Sequence, residues 1–364
     1  MSGTRTAGQL PATEKRKNTG RTVLSVLAKT FITLILIIAM IFIFLYGTVA
    51  RIINGPSPKA RDLFVRTVTE TSSGGFLAGW FLSDEEIEVI CNGDGFEPEQ
   101  KPLPTEPTTP SEKPTEQPSD LVLAEDGIEI YEVKGGTYKG KMMIVSDPAR
   151  IALATSYPFT PGGKGLKLKE MVKDTGAVAG INGAGFVDTE GNRGGGQPVG
   201  LVIKDGELIA GSKEPNDKGK IPQYEVSGFT AEGKLIVGKM TAQEALDAGI
   251  VNAVSFAPTL IKDGVARNLY GRGSGLNPRT AIGQRADGAV LLLVIDGRQP
   301  QSLGATYADL VEIMVDFGAV NAGNLDGGSS SLMVYKGEII SKCCSLYGPR
   351  RIPTGFVVLA REEE

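Results

Sequence analysis

The sequence predicts an α+β fold: a largely antiparallel, hairpin-rich sheet with a few helices, preceded by one transmembrane helix and a Pro-rich linker. Three observations carry this. Apolar, β-type runs recur on either side of Asp-Gly and similar turns through the C-terminal two thirds of the chain. Helical patterns in the same region are fewer and short. Near the N-terminus, Thr30 to Ala50 is an uncharged apolar run. At ~1.5 Å rise per residue it is long enough to cross ~30 Å of hydrocarbon.

Residues 1–29 form a basic tail, with Arg5, Lys15, Arg16, Lys17, Arg21 and Lys29 set against Glu14. The positive-inside rule places this tail in the cytoplasm and the chain after Arg51 outside. The apolar run exceeds the ~7–15 residues of a signal-peptide core, so 30–50 reads as an uncleaved signal anchor. Residues 51–95 read as a juxtamembrane helical segment, a stalk or an oligomerisation element. Pro56 and Pro58 mark a start, Leu63, Phe64, Val65 and Val68 follow helical spacing, and Ser83 with Glu86 makes a capping box. Residues 96–119 form a linker in which Pro98, Pro102, Pro104, Pro107, Pro110, Pro114 and Pro118 alternate with Thr, Glu, Ser and Lys. Such a chain buries no core and extends at ~3 Å per residue, a spacer between membrane and domain.

Residues 120–364 are the globular domain. Hairpins are expected around Gly135-Gly136, Asp205-Gly206, Glu232-Gly233, Asp263-Gly264, Asp287-Gly288 and Lys336-Gly337. Helices are expected over 165–174, 241–248 and 305–317, the last with Tyr307, Leu310, Val311, Met314, Val315 and Phe317 on its apolar face.

Composition excludes several chemistries. The chain has no histidine, which removes Ser-His-Asp and Cys-His nucleophile systems and His-ligated zinc. Its three cysteines, Cys91, Cys343 and Cys344, make neither a four-Cys metal site nor a disulfide framework. A net charge of −4 gives no footprint for nucleic acid.

Three glycine-rich stretches break the hairpin pattern: Ala179–Phe186, Val294–Arg298 and Asn324–Ser331. Glycine lets a backbone approach a ligand closely, and an Asp just beyond a buried strand is fixed yet exposed. Asp296 and Asp326 hold such positions. Each stretch also has a plain reading: a further hairpin turn at Asp296-Gly297, an ordinary loop at Asn324–Gly328, a turn cap at Asn182. Arg279 at a strand entrance, Arg298 after Asp296, and Arg350 and Arg351 before the last strand offer planar forks for phosphate or carboxylate.

These residues together carry a resemblance. INGAGF, AVSFAPTLIKDG, NPRTAIG, VIDGR, SLGATYADLVEIM, FGAVNAGNLDGGSSSLMV and a late Arg before IPTGFVV occur in one order. The set resembles the phosphodiester glycosidase family, some of whose bacterial members are assigned to exopolysaccharide biosynthesis. Gly185 departs from the aromatic that the family often places before Phe186, and Ser329-Ser330 from a common Gly-Ser pair.

The resemblance implies hydrolysis of a sugar-1-phosphodiester in a cell-envelope glycan or exopolysaccharide. Phosphate is a good leaving group and needs little acid help, so a carboxylate for the anomeric carbon or its water, and cations for the phosphate, suffice. Asp326, Asp296 and Arg279 are then the catalytic candidates. Arg279 and Arg350, with Arg298 in second place, take the phosphate. Asn182, Gly183, Phe186, Gly327, Gly328, Ser329 and Ser330 contact substrate. No cofactor is required, and a divalent cation on Asp296 and Asp326 stays open. Carboxyls ~5 Å apart would imply retention and ~6.5–9.5 Å inversion. The expected partners are a phosphodiester-linked glycan and, through 30–50, a lipid bilayer, without nucleic acid. The whole reads as a bacterial single-pass membrane protein with an extracellular C-terminal domain. The alternative is a non-catalytic surface module that binds anionic glycans or assists polysaccharide assembly.

Overall fold

Helix α1 (Thr13–Ile53) carries the apolar run and extends it in both directions. The computed structural model describes residues 3, 13–71, 74–92, 120–160, 162–187, 194–269, 275–345 and 347–361, with the backbone alone for 13–22. The linker at 96–119 and residues 1–2 and 4–12 of the basic tail lie outside the described residues. Within α1 the stretch Val23–Ile53 is apolar enough to cross a membrane, longer than the 30–50 expected. Its large apolar side chains from Val23 to Tyr46 are exposed, whereas Val49 and Ile53 are buried.

The burial of Val49 and Ile53 marks where the juxtamembrane segment folds against α1. Helix α2 (Pro58–Thr69) starts at Ser57, whose side chain accepts from the Ala60 N–H. A 3-10 turn follows at Gly75–Trp80, then α3 (Asp84–Asn92). The expected capping box is present: Ser83 N donates to Glu86 (2.8 Å) and Glu86 N to Ser83 Oγ (3.2 Å). Val65, Val68, Ala78, Ile90 and Cys91 form a small core of their own.

Among the described residues the domain has three larger antiparallel sheets around one core, with a two-stranded pair of 351–352 and 166–167 beside them. The largest has eight strands in the spatial order 120–125, 128–134, 139–145, 290–295, 279–285, 319–325, 259–262 and 265–266. A five-stranded sheet runs 235–241, 223–230, 250–255, 202–204, 207–210, and a second runs 338–339, 333–335, 177–182, 354–359, 151–155. Their inner faces meet in a shared core that includes Ile130, Leu292, Val237, Phe229, Ile181 and Phe356. Each sheet is backed by one helix: α4 (Leu168–Asp174) behind 177–182, α5 (Ala242–Asp247) behind 250–255, and α6 (Tyr307–Asp316) behind the large sheet. All three helices fall within the expected ranges.

The hairpins form at the expected turns. Asp205, Asp263 and Lys336 take positive φ ahead of glycines that do the same, the geometry that two-residue hairpin turns demand. Asp296-Gly297 is not such a turn. The chain leaves the 290–295 strand there and makes a small loop, closed by a bridge between Gln299 and Ser302, before α6.

The juxtamembrane segment is bonded directly to the domain. Thr67 Oγ1 accepts from Leu276 N (3.0 Å) and Glu70 Oε1 from Gly275 N (2.8 Å). A Cβ at Gly275 would stand 2.6 Å from the Thr67 backbone, so glycine permits this approach. Whatever the length of the linker, this contact holds the domain beside α2.

Candidate active site at the seam of two sheets

Four strand ends converge on one edge: the end of 177–182, the start of 279–285, and the ends of 290–295 and 319–325. Antiparallel pairing sets Arg279 opposite Ile295 and Thr280 opposite Leu325, which places Asp326 just past the sheet.

Asn182 stitches the two sheets together. Its Oδ1 accepts from Thr280 Oγ1 (2.8 Å) and from Leu332 N (3.1 Å), and its Nδ2 donates to the Asp326 carbonyl (2.6 Å). The Asp326 N–H donates to Gly183 O at 3.0 Å. Both backbone groups of Asp326 are therefore fixed by the Asn182-Gly183 strand end. Asn182 itself is 1% exposed with its amide spent on protein partners. It positions Asp326 instead of meeting solvent. Gly183 in turn sits against Thr354, where a Cβ would come within 2.6 Å of the hydroxyl.

Arg279 is 6% exposed. Its guanidinium lies over the Tyr307 ring (4.1 Å), with Nε donating to Ala305 O (3.2 Å) and Nη2 to Gly275 O (2.8 Å) and Glu70 Oε2 (3.1 Å). Burial pushes the Tyr307 phenol up, the Arg279 charge opposes, and Glu70 and Asp326 add to the rise. At Gly327, next to Asp326, a Cβ would stand 3.9 Å from the Arg279 side chain.

Glu70, Asn277 and Tyr307 complete this network and were not among the expected site residues. Asn277 donates to Glu70 (2.5 Å) and accepts from Arg298 Nη2 (2.9 Å). Arg298 has φ +56 and lies against Gly328, where a Cβ would be 3.5 Å from its Nη2. Gly297, Gly304 and Gly327 crowd the Asn277-Pro278 backbone, with Cβ positions 2.4–2.9 Å from it. These glycines serve close packing of that peptide. Their spacing along the chain says nothing of it.

Asp296 follows the 290–295 strand and has contacts of its own. Its carboxylate accepts from Lys342 N (2.8 Å). Burial pushes it above the usual carboxylate range, the Lys342 N–H and the charges of Lys342 and Lys141 oppose, and Glu132 adds to the rise. Among the described residues no group of three or more His, Cys, Asp or Glu is arranged to hold a metal ion.

A pocket of about 390 Å³ opens beside the Gly328–Ser330 turn, lined by Lys167, Ser329, Ser345, Tyr347, Arg350 and Arg351. The Arg350 guanidinium lies over the Phe186 ring at 4.9 Å and faces Ser329 Oγ at 3.4 Å. Ser330 is buried, and the turn is closed by Ser330 N on Gly327 O. At Gly185 a Cβ would come within 2.7 Å of the Phe256 ring, which lies just past the 250–255 strand.

The fold and this order of motifs define a glycosidase-type domain. The model of the phosphodiester glycosidase family matches residues 175–359, and the chain belongs to that family. It is 32% identical over 186 residues to an SPbeta prophage-derived uncharacterized protein of Bacillus subtilis, covering 47% of this chain and 26% of that one. It is 27% identical over 269 residues to the Mus musculus N-acetylglucosamine-1-phosphodiester alpha-N-acetylglucosaminidase, covering 67% and 47%. The chain thus spans about a quarter to a half of these relatives. Among solved structures it resembles the zebrafish enzyme of that name, a catalytic domain auto-inhibited by its pro-peptide. The TM-score is 0.50 at 25% identity, over 64% of this chain and 82% of that one.

Proposed function

We propose that the protein is a membrane-anchored glycosidase that hydrolyses a sugar-1-phosphodiester, with its C-terminal domain outside the cell. The observation that supports this reading is Asp326, held at both backbone groups two residues before the Gly328–Ser330 turn, whose Ser329 lines the pocket with Lys167, Arg350 and Arg351. In this reading water adds to the anomeric carbon as the bond from that carbon to the phosphate oxygen breaks. The Asp326 carboxylate takes the water's proton, and the phosphate leaves as a monoester. Arg350, stacked on Phe186 and facing Ser329, presents its fork to the departing phosphate oxygens. Arg298, against Gly328, borders the same turn.

Arg279 plays a different part in this assignment. Its fork is engaged by Glu70, Gly275 O and Ala305 O, so it sets the charge behind Asp326 and holds the strand entrance. Asp296 anchors the Lys342 segment. Asn182 and Gly183 position Asp326, while Gly327, Gly328, Ser329 and Ser330 shape the phosphate side of the pocket.

The experiment is turnover by the detergent-solubilised full chain on water-soluble phosphodiesters of glucose, N-acetylglucosamine and N-acetylmannosamine. Release of reducing sugar together with phosphomonoester, abolished in Asp326→Asn, is expected. No release from any of them, with or without divalent metal, overturns the reading in favour of a glycan-binding module.

A further inference from the structure

The juxtamembrane segment carries an aromatic cluster that the proposed hydrolysis does not use. Trp80, the chain's single tryptophan, packs on two membrane-helix residues, with ring centroids 5.5 Å from Phe42 and 5.8 Å from Tyr46. Phe76 stands 5.6 Å from Trp80, and Phe81 4.8 Å from Tyr46. Despite these contacts Phe76 is 59% exposed and Phe42 56%. An exposed aromatic patch of this kind is costly in water. Tryptophan and tyrosine gather where hydrocarbon meets headgroups. A boundary at Tyr46 leaves Val26–Tyr46 as the span, about 30 Å of helix, and seats the Gly75–Trp80 turn at the membrane surface beside it.

The same segment is bonded to the domain. Glu70 precedes Gly75 by five residues, at most about 18 Å of extended chain. Glu70 in turn touches Arg279 and Asn277, and Asn277 touches Arg298 beside Gly328. Contacts from Glu70 therefore run to the edge of the site, and the aromatic turn lies a few residues along the chain from Glu70. The domain is docked near the bilayer, where a spacer reading of the linker would have carried it away.

We propose that the substrate is a sugar-1-phosphate esterified to a membrane lipid alcohol, taken at the bilayer surface on which the aromatic turn and Glu70 hold the site. This rests on the glycosidase reading above. The lipid ester is itself a sugar-1-phosphodiester, so the step is unchanged in kind. Water's oxygen joins the anomeric carbon, the carbon–oxygen bond to phosphate breaks, and the lipid phosphomonoester stays in the bilayer while free sugar leaves. Confining enzyme and substrate to one surface raises their effective concentration.

Two measurements on the full chain in liposomes test it. The first follows Trp80 fluorescence in vesicles whose lipids carry bromine near the headgroup end of the acyl chain. Quenching is expected, and its absence removes the membrane seat and the proposal with it. The second compares one sugar-1-phosphate as a soluble methyl ester and as a long-chain isoprenoid ester embedded in the vesicle. The embedded ester is expected to turn over at least about tenfold faster at equal bulk concentration. The double variant Phe76→Ser/Trp80→Ser, with α1 still confining the chain, should cut that advantage severalfold and leave the soluble ester unchanged. Equal rates on both esters, or equal loss on both in the double variant, overturn the substrate assignment while the glycosidase reading stands. Cleavage of neither ester, with Trp80 quenched, overturns both.

Discussion

The Glu70 carboxylate lies 3.1 Å from the Arg279 guanidinium, a pair formed across 209 residues of sequence with side chains 18% and 7% exposed. It joins α2 to the strand that enters the candidate site. Removing one partner of such a pair strands the other, which costs ~3–5 kcal/mol when burial is complete. Here Arg279 keeps Gly275 O, Ala305 O and the Tyr307 face. Glu70→Gln is therefore expected to destabilise the full chain by about 2 kcal/mol, read by denaturant unfolding in detergent. In a double-mutant cycle with Arg279→Met the losses should be less than additive. A fragment beginning at residue 120 should unfold more easily than one beginning at 56, because it lacks Thr67 and Glu70.

Asn182 makes a sharper prediction about positioning. Asn182→Asp keeps the shape and the acceptors for Thr280 and Leu332 but loses the donor to the Asp326 carbonyl. It also sets a second carboxylate beside Asp326. A misplaced catalytic group costs kcat more than KM. A fall in kcat of about a hundredfold with KM changed less than about threefold is expected. A rise in KM alone would move Asn182 into substrate contact.

Much of the fold could be read in advance because its signals are local. Asp205-Gly206 and Asp263-Gly264 announce hairpins since the turn needs positive φ at adjacent residues. Thr306 and α6 are equally local, the cap and its partner Asp309 lying three residues apart. The site was legible only in part. Arg350 lines a polar pocket with Ser329, three residues after Asp326, but Gly297 and Gly327 turn out to pack on Pro278, a distance that no spacing along the chain encodes. Glu70 carried no signal at all. It belongs to the juxtamembrane helix, and only the tertiary fold brings it to Arg279.

Arg350 tests the phosphate side. Its guanidinium combines a stacked face on Phe186 with an edge toward Ser329. A lysine keeps the charge but neither stacks nor forks. Arg350→Lys is expected to lower kcat/KM about tenfold, mostly through kcat because the fork meets the departing phosphate, measured on a soluble sugar-1-phosphodiester at fixed ionic strength. Phe186→Leu should give a weaker effect in the same direction.

Asp296 yields a prediction about pH. Burial raises its carboxyl above the usual range, against the opposing Lys342 N–H and the charges of Lys342 and Lys141. The folded protein therefore holds this proton more tightly than the unfolded chain does. Over the window from the ordinary carboxylate value up to the raised folded value, the folded state binds more protons. Stability from this group then falls as pH rises through the window, and the deficit persists at neutral pH. Asn keeps the Oδ1 acceptor for Lys342 N and removes the charge. Asp296→Asn is thus expected to melt higher than the parent at pH ~7 and to match it near pH ~3, where both side chains are neutral. Melting curves of both proteins across that range give the answer. A variant that melts lower at neutral pH would mean that Lys141 and Lys342 hold the charged carboxylate more strongly than burial opposes it. Turnover separates the two carboxylates further. If Asp326 alone acts on the anomeric carbon, Asp296→Asn keeps most of its activity while Asp326→Asn keeps none.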